Sequence, residues 1–336
     1  MSFWQSYLIF FLKFLTIAII ILAAFIIIAL VLTKIKEKEK GGKLVIRSLN
    51  DHYQEMADIV RGVVFSKKEL KKDSKLKKKE DKEKKEAEKD NNPRLFVINF
   101  QGDIRASQVS TFREEITAVL ISAKPEKDQV LIRLESGGGT VPGYGLAASQ
   151  LQRLKAAQIK FTISVDKVAA SGGYMMACLA NEIIAAPFAI VGSIGVIAQL
   201  PNFHRYLDSK HIDFEQIMAG KFKRTLTIFG KNTLEGREKM QEEVDDIHEL
   251  FKEFIGMYRP QIDLEKVATG EHWFAARAVD LNLIDKLQTS DDYLLSKSKE
   301  FDLYEVEYTI KKSMSKKFSS LIFNVTDKLF ASNYGH

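Results

Sequence analysis

The sequence predicts an α/β fold built on a largely parallel sheet. Short apolar runs over residues 94–100, 129–136, 160–166 and 181–187 are typical of buried strands, and stretches with helical periodicity lie between them. Strands that alternate with helices indicate βαβ units, whose crossovers are right-handed. With 46% hydrophobic and 28% charged residues, a chain of 336 residues can bury one large core of this kind.

Helices are predicted between and after these strands. Residues 107–123 have a helical period, with Ser107 as the predicted N-cap. A second helix begins at Pro142, where the missing N–H of proline costs nothing. A longer helix with many charged residues is predicted over residues 234–258.

Residues 14–33, "FLTIAIIILAAFIIIALVLT", contain no charged residue. Twenty such residues are long enough to cross a hydrocarbon layer of about 30 Å. A cleaved signal peptide has an apolar run of only about 7 to 15 residues before its cleavage site. We therefore expect residues 1–40 to form a retained membrane anchor that contacts lipid through residues 14–33.

The lysines around the span indicate its orientation. Lys34, Lys36, Lys38 and Lys40 follow the apolar run, whereas Lys13 is the one lysine that precedes it. Because positively charged flanks stay on the cytoplasmic side, this pattern predicts that the rest of the chain lies in the cytoplasm.

A juxtamembrane segment and a linker are predicted over residues 41–93. Residues 66–92 are rich in lysine and acidic residues and cannot bury enough apolar surface to fold alone, which indicates a solvated linker or a charged helix. This run has no arginine and no aromatic residue, so we do not expect it to bind nucleic acid.

The folded domain is expected over residues 94–295, followed over 296–336 by a strand and an amphipathic helix. The helix would pack on its own domain, form a subunit interface or lie on a membrane. Its apolar face comprises Phe318, Leu321, Ile322, Val325 and Leu329.

Two glycine-rich turns follow predicted strands at the same edge of the sheet. "ESGGGTVPG" comes after the strand at 129–134, and "AASGGYMMA" places Ser171 near the start of a helix. Ligand and catalytic sites gather at this edge of open α/β sheets. Bare backbone N–H groups there can stabilise the negative charge that forms when a serine attacks a carbonyl. Ser171 is therefore a candidate nucleophile, or else a helix cap beside packing glycines.

A nucleophilic serine needs a base, and the sequence offers two kinds. Six histidines are present, but none has an acidic partner in a recognisable setting, so a Ser-His-Asp triad is open but unsupported. A lysine can act as a base when burial lowers its pKa. The stretch "MAGKFKRTLT", after a predicted strand, places Lys221 and Lys223 among apolar residues such as Phe222 and Leu226. Cys178, the single cysteine, lies in an apolar run and is interpreted as a core residue.

Four motifs, "SGGG", "AASGGY", "GSIGV" and "AGKFKRTLT", resemble in order and spacing those of the signal peptide peptidase A family of membrane-bound Ser-Lys proteases. The similarity is greatest to the SohB branch, because of the single anchor, the lysine-rich insert and "ATGEHWFAARAVDLNLIDKL" at 268–287. It covers residues 94–290. The family motif often reads Ser-Pro-Gly-Gly where this chain has "SGGG".

The resemblance implies a ClpP/crotonase-like fold of repeated ββα units and assigns roles to five residues. Ser171 corresponds to the nucleophile, Lys223 to the general base, and Ser193 to the hydroxyl that holds the lysine amine. Gly138 corresponds to an N–H donor of the oxyanion hole, and Gly172 to a second donor.

The function that the resemblance implies is a serine endopeptidase of the bacterial inner membrane, without cofactor or metal, that cleaves hydrophobic peptides or membrane-protein fragments. Homo-oligomeric rings are expected, and work on signal peptides implies a catalytic domain outside the cytoplasm, opposite to the lysine pattern. Two alternatives stay open, a crotonase-like acyl-CoA-binding protein and a catalytically silent membrane scaffold, because one fold serves several functions.

Overall fold

The structure, a computed structural model, describes residues 4, 10–23, 42–66, 68–70 and 92–310. The chain divides into two compact units, one of residues 46–307 and the other of residues 1–45 with 308–336.

The membrane span predicted from the sequence is only partly described. Residues 10–23 are helical. Residues 24–33 lie outside the described part of the chain, as does the amphipathic helix predicted after residue 310. Within the described ranges, no helix has both the length and the apolar character that crossing a membrane requires.

The strands are β1 (Gly42–Ser48), β2 (Arg94–Gly102), β3 (Gln129–Ser136), β4 (Phe161–Val165), β5 (Val168–Ala170), β6 (Glu182–Ala185), β7 (Ile190–Gly192), β8 (His272–Phe274), β9 (Lys286–Leu287) and β10 (Asp302–Ile310). The labelled helices are α1 (Leu49–Val64), α2 (Val109–Ser122), α3 (Val141–Ala156), α4 (Gly172–Ala177), α5 (His204–Ser209), α6 (Leu234–Tyr258), α7 (Leu264–Val267), α8 (Ala275–Ala278) and α9 (Ser290–Lys297).

The sheet runs in the order β1-β10-β2-β3-β4-β6-β9, and β2, β3, β4, β6 and β9 are parallel neighbours. It forks at β3, which pairs with β4 and, at its last residue, also with β5. The second branch continues from β5 to β7 in parallel and from β7 to β8 in antiparallel. The short strands of the second branch therefore end beside the carboxyl end of β3. The α/β class with a largely parallel sheet is confirmed.

Both faces of the central strands are buried, as expected for a parallel sheet. Phe100 on β2 and Phe112 on α2 meet edge to face with ring centroids 5.1 Å apart. Tyr144 on α3 and Tyr174 on α4 are also fully buried, and each hydroxyl has a hydrogen-bond partner. Burial of aromatic rings on this scale is a major source of stability.

The predicted strands and helices agree with the structure to within about two residues, with three exceptions. The N-cap of α2 is Gln108, so the prediction of Ser107 was wrong. The Ser107 hydroxyl instead donates to Asp103 at 2.7 Å, within the turn that precedes the helix. Residues 212–218 have no regular structure, so the strand predicted before Lys221 and Lys223 is absent. Strands β5, β7, β8 and β9 were not predicted, because two or three residues are too few to show a period, and the longer β1 was not predicted either.

Candidate active site

Three turns lie side by side where β3, β5 and β7 end. Ser136 pairs with Ala169 across β3 and β5, and Ala170 pairs with Gly192 across β5 and β7. The glycines after Ser136, the serine after Ala170 and the serine after Gly192 consequently meet at the carboxyl edge of the sheet. The structure thus brings Gly138, Ser171, Gly172 and Ser193 to one place.

Ser171 occupies a strained backbone conformation at the start of α4. Its φ of +53° and ψ of −120° lie in a region that residues with a side chain rarely adopt. Its N–H donates to the carbonyl of Gly192 at 2.8 Å, and its carbonyl accepts from Met175 at 3.0 Å. The half-buried hydroxyl has no hydrogen-bond partner among the described residues. The backbone therefore fixes this serine while its Oγ stays free to react, and such strain is common at functional sites.

Gly138 approaches Ser171 so closely that no side chain fits between them. Its φ is +86°, and an added Cβ would lie 2.7 Å from both the nitrogen of Gly172 and the Cβ of Ser171. Gly172 is equally confined, because its Cβ would lie 2.8 Å from Cβ of Tyr144. These contacts explain why the two turns are built from glycine.

The N–H groups of the two turns differ in their availability. Gly138 donates its N–H to Oγ of Ser136 at 3.0 Å, so the donor expected from the sequence is already engaged. Neither Gly172 nor Gly139 has a hydrogen-bond partner for its N–H within the described part of the chain. The first N–H groups of a helix have no intrahelical acceptor, and in α4 this leaves the N–H of Gly172 beside Ser171.

Ser193 follows Gly192 directly and has φ +50°. Its N–H donates to the carbonyl of Glu271 at 2.6 Å, and its hydroxyl donates to the carbonyl of Gly270 at 3.4 Å. The chain segment before β8 therefore holds Ser193 at the edge of the site.

Lys223 forms no hydrogen bond in the described structure with Gly138, Ser171, Gly172 or Ser193. It lies exposed in a segment without regular structure, and its side chain forms no hydrogen bond or ion pair with another described residue. The ring of Phe222, expected to shield Lys223, is exposed and instead contacts the amines of Lys221 and Lys239, 5.1 and 5.6 Å from the ring centroid. The expectation that Phe222 and Leu226 shield Lys223 was wrong, because Lys223 is exposed in the structure.

One histidine lies closer to the site than the sequence indicated. His272 on β8 is the cross-strand partner of Gly192, whose carbonyl binds the N–H of Ser171. Sequence reasoning could not place it, because 101 residues separate Ser171 from His272 and β8 is only three residues long. Its side chain is exposed and forms no hydrogen bond among the described residues.

Two family models match nearly the whole chain. The model of peptidase family S49 N-terminal matches residues 2–151, and that of peptidase family S49 matches residues 153–303. The glycine turn at 137–139 falls within the first match, and Ser171, Ser193 and Lys223 fall within the second.

Individual proteins are similar over most of their length. A probable protease SohB of Haemophilus influenzae is 47% identical over 325 residues, which cover 93% of this chain and 91% of that protein. A probable protease SohB of Buchnera aphidicola is 47% identical over 308 residues, covering 88% of this chain and 100% of that protein. Among solved structures, the 1510-N membrane-bound stomatin-specific protease with a substrate peptide has a TM-score of 0.44 at 12% identity, covering 68% of this chain and 99% of that chain. On the evidence of the two family models and the SohB proteins, the chain belongs to peptidase family S49.

Proposed function

We propose that the chain is a membrane-anchored serine endopeptidase in which Ser171 is the nucleophile and Lys223 the general base. The observation that carries this proposal is the position of Ser171 at a strained turn beside Gly172, where neither the serine hydroxyl nor the glycine N–H has a hydrogen-bond partner among the described residues. Hydrophobic peptides and fragments of membrane proteins are the proposed substrates, because an anchored protease works close to such material.

The proposed reaction follows from these groups. Oγ of Ser171 attacks the peptide carbonyl and forms a C–O bond, while the neutral amine of Lys223 takes the hydroxyl proton. The carbonyl oxygen becomes negative and accepts hydrogen bonds from the two turns. The C–N bond then breaks, the leaving amine receives the proton, and water hydrolyses the acyl-enzyme in the same way.

Donors for the negative oxygen are available on both turns. Gly172 supplies one N–H in the observed conformation. Gly138 would supply the second only if its peptide turned away from Ser136. Gly139, whose N–H is unpartnered in the described structure, is the alternative donor from the same turn. Each such donor is worth about 3 kcal/mol in the transition state.

The exposed side chain of Lys223 forms no hydrogen bond with another described residue, so further contacts are required to bring its amine to Ser171. We propose that self-association into a homo-oligomer supplies these contacts. The surrounding segment exposes large apolar side chains that favour such an interface. They are Ile212, Phe214, Ile217, Met218, Phe222 and Phe229.

We further propose that residues 14–33 anchor the protein in the bacterial inner membrane. Twenty consecutive uncharged residues support this proposal. The forked sheet supports the ClpP/crotonase-like arrangement of ββα units. Strands β4 and β6 lie on one branch, and the strands that follow them in the chain, β5 and β7, lie on the other.

A fluorophosphonate probe tests the proposed function, because it reacts covalently with an activated serine. The full chain in detergent should be labelled at Ser171, as mapped by mass spectrometry, and Ser171→Ala should lose both labelling and peptide hydrolysis. Ser149→Ala is the matched control, since Ser149 is an exposed helical serine whose hydroxyl binds the carbonyl of Gly145. An unlabelled wild-type protein would favour the acyl-CoA-binding or scaffold alternatives.

A further inference from the structure

A pair of buried hydroxyl groups lies between the two glycine turns and has no role in the reaction described above. Ser136 ends β3 and is 2% exposed, while Tyr144, in the first turns of α3, is fully buried. Their hydroxyl groups are joined by a short hydrogen bond. Buried polar groups of this kind fix local geometry when all of their hydrogen bonds are satisfied.

The direction of the hydrogen bonds follows from the number of available protons. Tyr144 has one hydroxyl proton, which it donates to the carbonyl of Asp103 at 2.9 Å. It therefore accepts from the hydroxyl of Ser136, whose other acceptor, the carbonyl of Gly102, lies farther away at 3.5 Å. Ser136 in turn accepts the N–H of Gly138 at 3.0 Å. A directed chain thus runs from the glycine turn through Ser136 and Tyr144 to the backbone at the end of β2.

The same pair also contacts the turn that carries the nucleophile. An added Cβ at Gly172 would lie 2.8 Å from Cδ2 of the Tyr144 ring, and one at Gly173 would lie 2.6 Å from the carbonyl oxygen of Ser136. Both turns therefore rest against the two hydroxyl-bearing residues, and a shift of either residue would move one turn relative to the other.

The hydrogen bond matters most at the start of the glycine turn, where the packing is open. No atom lies within 4 Å of a Cβ added to Gly137, whereas Gly138 packs against Ser171 and Gly139 against the backbone of Ile104. The bond from Gly138 to Ser136 fixes the plane of the peptide between Gly137 and Gly138. It thereby helps to hold Gly138, the residue of this turn that packs against Ser171.

We propose that Ser136 and Tyr144 are positioning residues that hold the 137–139 turn in register with Ser171. They touch neither the substrate nor the reacting atoms, and they act through the backbone of Gly138. This inference rests on the proposed peptidase function, and it predicts a loss in the rate of serine acylation rather than in substrate binding.

The test compares Tyr144→Phe and Ser136→Ala with Tyr293→Phe in the full chain. Tyr293 is a matched control, because it is also a buried tyrosine whose hydroxyl binds a hydroxyl, that of Thr162 at 3.2 Å, on a different part of the sheet. We expect Tyr144→Phe and Ser136→Ala each to lower kcat and the rate of fluorophosphonate labelling about tenfold. KM should change less than about twofold, and Tyr293→Phe should keep the wild-type kcat.

A double variant distinguishes positioning from a general loss of stability. If the two hydroxyls act as one chain, the double variant should be no slower than the slower single variant. Burial raises the pKa of the Tyr144 hydroxyl, which stays protonated at neutral pH, so the ratio of variant to wild-type rates should be constant from about pH 6 to 9.

The outcomes separate this inference from the function on which it rests. Wild-type rates in both single variants, or equal losses in Tyr144→Phe and Tyr293→Phe, would overturn the positioning role alone. An unlabelled wild-type protein would overturn both proposals. Should Tyr144→Phe fail to fold, as judged by its Tm, Ser136→Ala keeps the tyrosine ring against Gly172 and carries the test.

Discussion

Ser171 and Lys223, proposed to act in one reaction, are held by the chain in very different ways. Ser171 directly follows β5, binds the carbonyl of Gly192 through its N–H and lies so close to Gly138 that a side chain there would not fit. Lys223 lies in an exposed segment where its one hydrogen bond in the described structure runs from its own N–H to the carbonyl of Gly220. One residue is fixed by a buried sheet and the other by local turns.

The difference indicates which part of the site one chain can build alone. Parallel strands fix the ends of neighbouring turns to each other, so Ser171 and the N–H groups proposed as donors lie together within one folded chain. The lysine segment has exposed apolar side chains and needs a further surface to bury the amine. We therefore expect substitutions at the turns to act on every molecule, and those around Lys223 to depend on assembly.

Gly138→Ala should have the largest effect among the substitutions that sharpen this comparison. The added methyl group would meet Ser171 and the nitrogen of Gly172 at 2.7 Å, in a backbone conformation that alanine adopts poorly. We expect peptide hydrolysis to fall about a thousandfold, as when an oxyanion donor is removed. Gly137→Ala is the control, since its added methyl group meets no atom within 4 Å, and it should keep activity within about threefold. Equal activity of the two variants would contradict the close approach of the turns.

Lys223→Arg should have the next largest effect. Arginine keeps the positive charge but stays protonated, so it cannot take the proton of Ser171. We expect at least about a hundredfold loss of kcat, as for the removal of a general base. Lys221→Arg is the matched control, because Lys221 forms an ion pair with Glu235 on the surface. This substitution should leave kcat nearly unchanged.

The position of His272 gives this prediction a clear alternative. His272→Gln should retain activity if Lys223 is the base. If Lys223→Arg stays active while His272→Gln is inactive, a histidine beside Gly192 replaces the lysine in the mechanism. Measuring kcat for both variants in the same detergent decides between them.

Asp128→Asn should affect stability while leaving activity unchanged, because Asp128 lies at the amino ends of β2 and β3. Burial raises the pKa of its carboxylate, but hydrogen bonds from the side chain and N–H of Arg94 and the N–H of Lys124 outweigh this and hold the pKa below its ordinary value. Loss of this network should cost about 2 kcal/mol of folding free energy. Glu126 is an exposed neighbour, so Glu126→Gln should leave the free energy of unfolding unchanged within measurement.

The pH dependence of this pair follows from the lowered pKa. The charged carboxylate stabilises the fold above the pKa that it has in the unfolded chain, near 4, and the contribution is lost as the pH falls through the lower folded-state pKa. Chemical unfolding should therefore show a difference between Asp128→Asn and wild type at pH 7 that shrinks below about pH 4. A difference that persists unchanged to pH 2 would contradict this account.

Several long elements of the fold could be predicted from the sequence because each has its own period, although β1 and α1 were not predicted. Residues 129–136 form a continuous apolar strand and residues 234–258 a long helix, and both were located correctly. Strands β5 and β7 were not found, because their three residues are largely alanine, valine and glycine. These strands are defined by pairing, of β5 with β3 and of β7 with β5, and a local sequence pattern does not show such pairing.

The candidate site likewise has features that the sequence predicts and features that it does not. The two glycines that follow Ser171 were noticed because glycine is costly where the backbone has no special need for it. The engagement of the Gly138 N–H by Ser136 could not be predicted, because it depends on the orientation of one peptide plane. The exposure of Lys223 could not be predicted either, because Phe222 and Leu226 are neighbours in sequence but do not cover its amine.

The proposed mechanism requires that one chain hold Ser171 in place while assembly buries Lys223. Size-exclusion chromatography in mild detergent can separate monomers from oligomers, and light scattering can assign their masses before each fraction is treated with a fluorophosphonate probe. We predict that labelling of Ser171 and peptide hydrolysis follow the oligomeric fraction, while a folded monomer reacts at least about a hundredfold more slowly. A monomer that is labelled and hydrolyses peptides at the full rate would contradict the account.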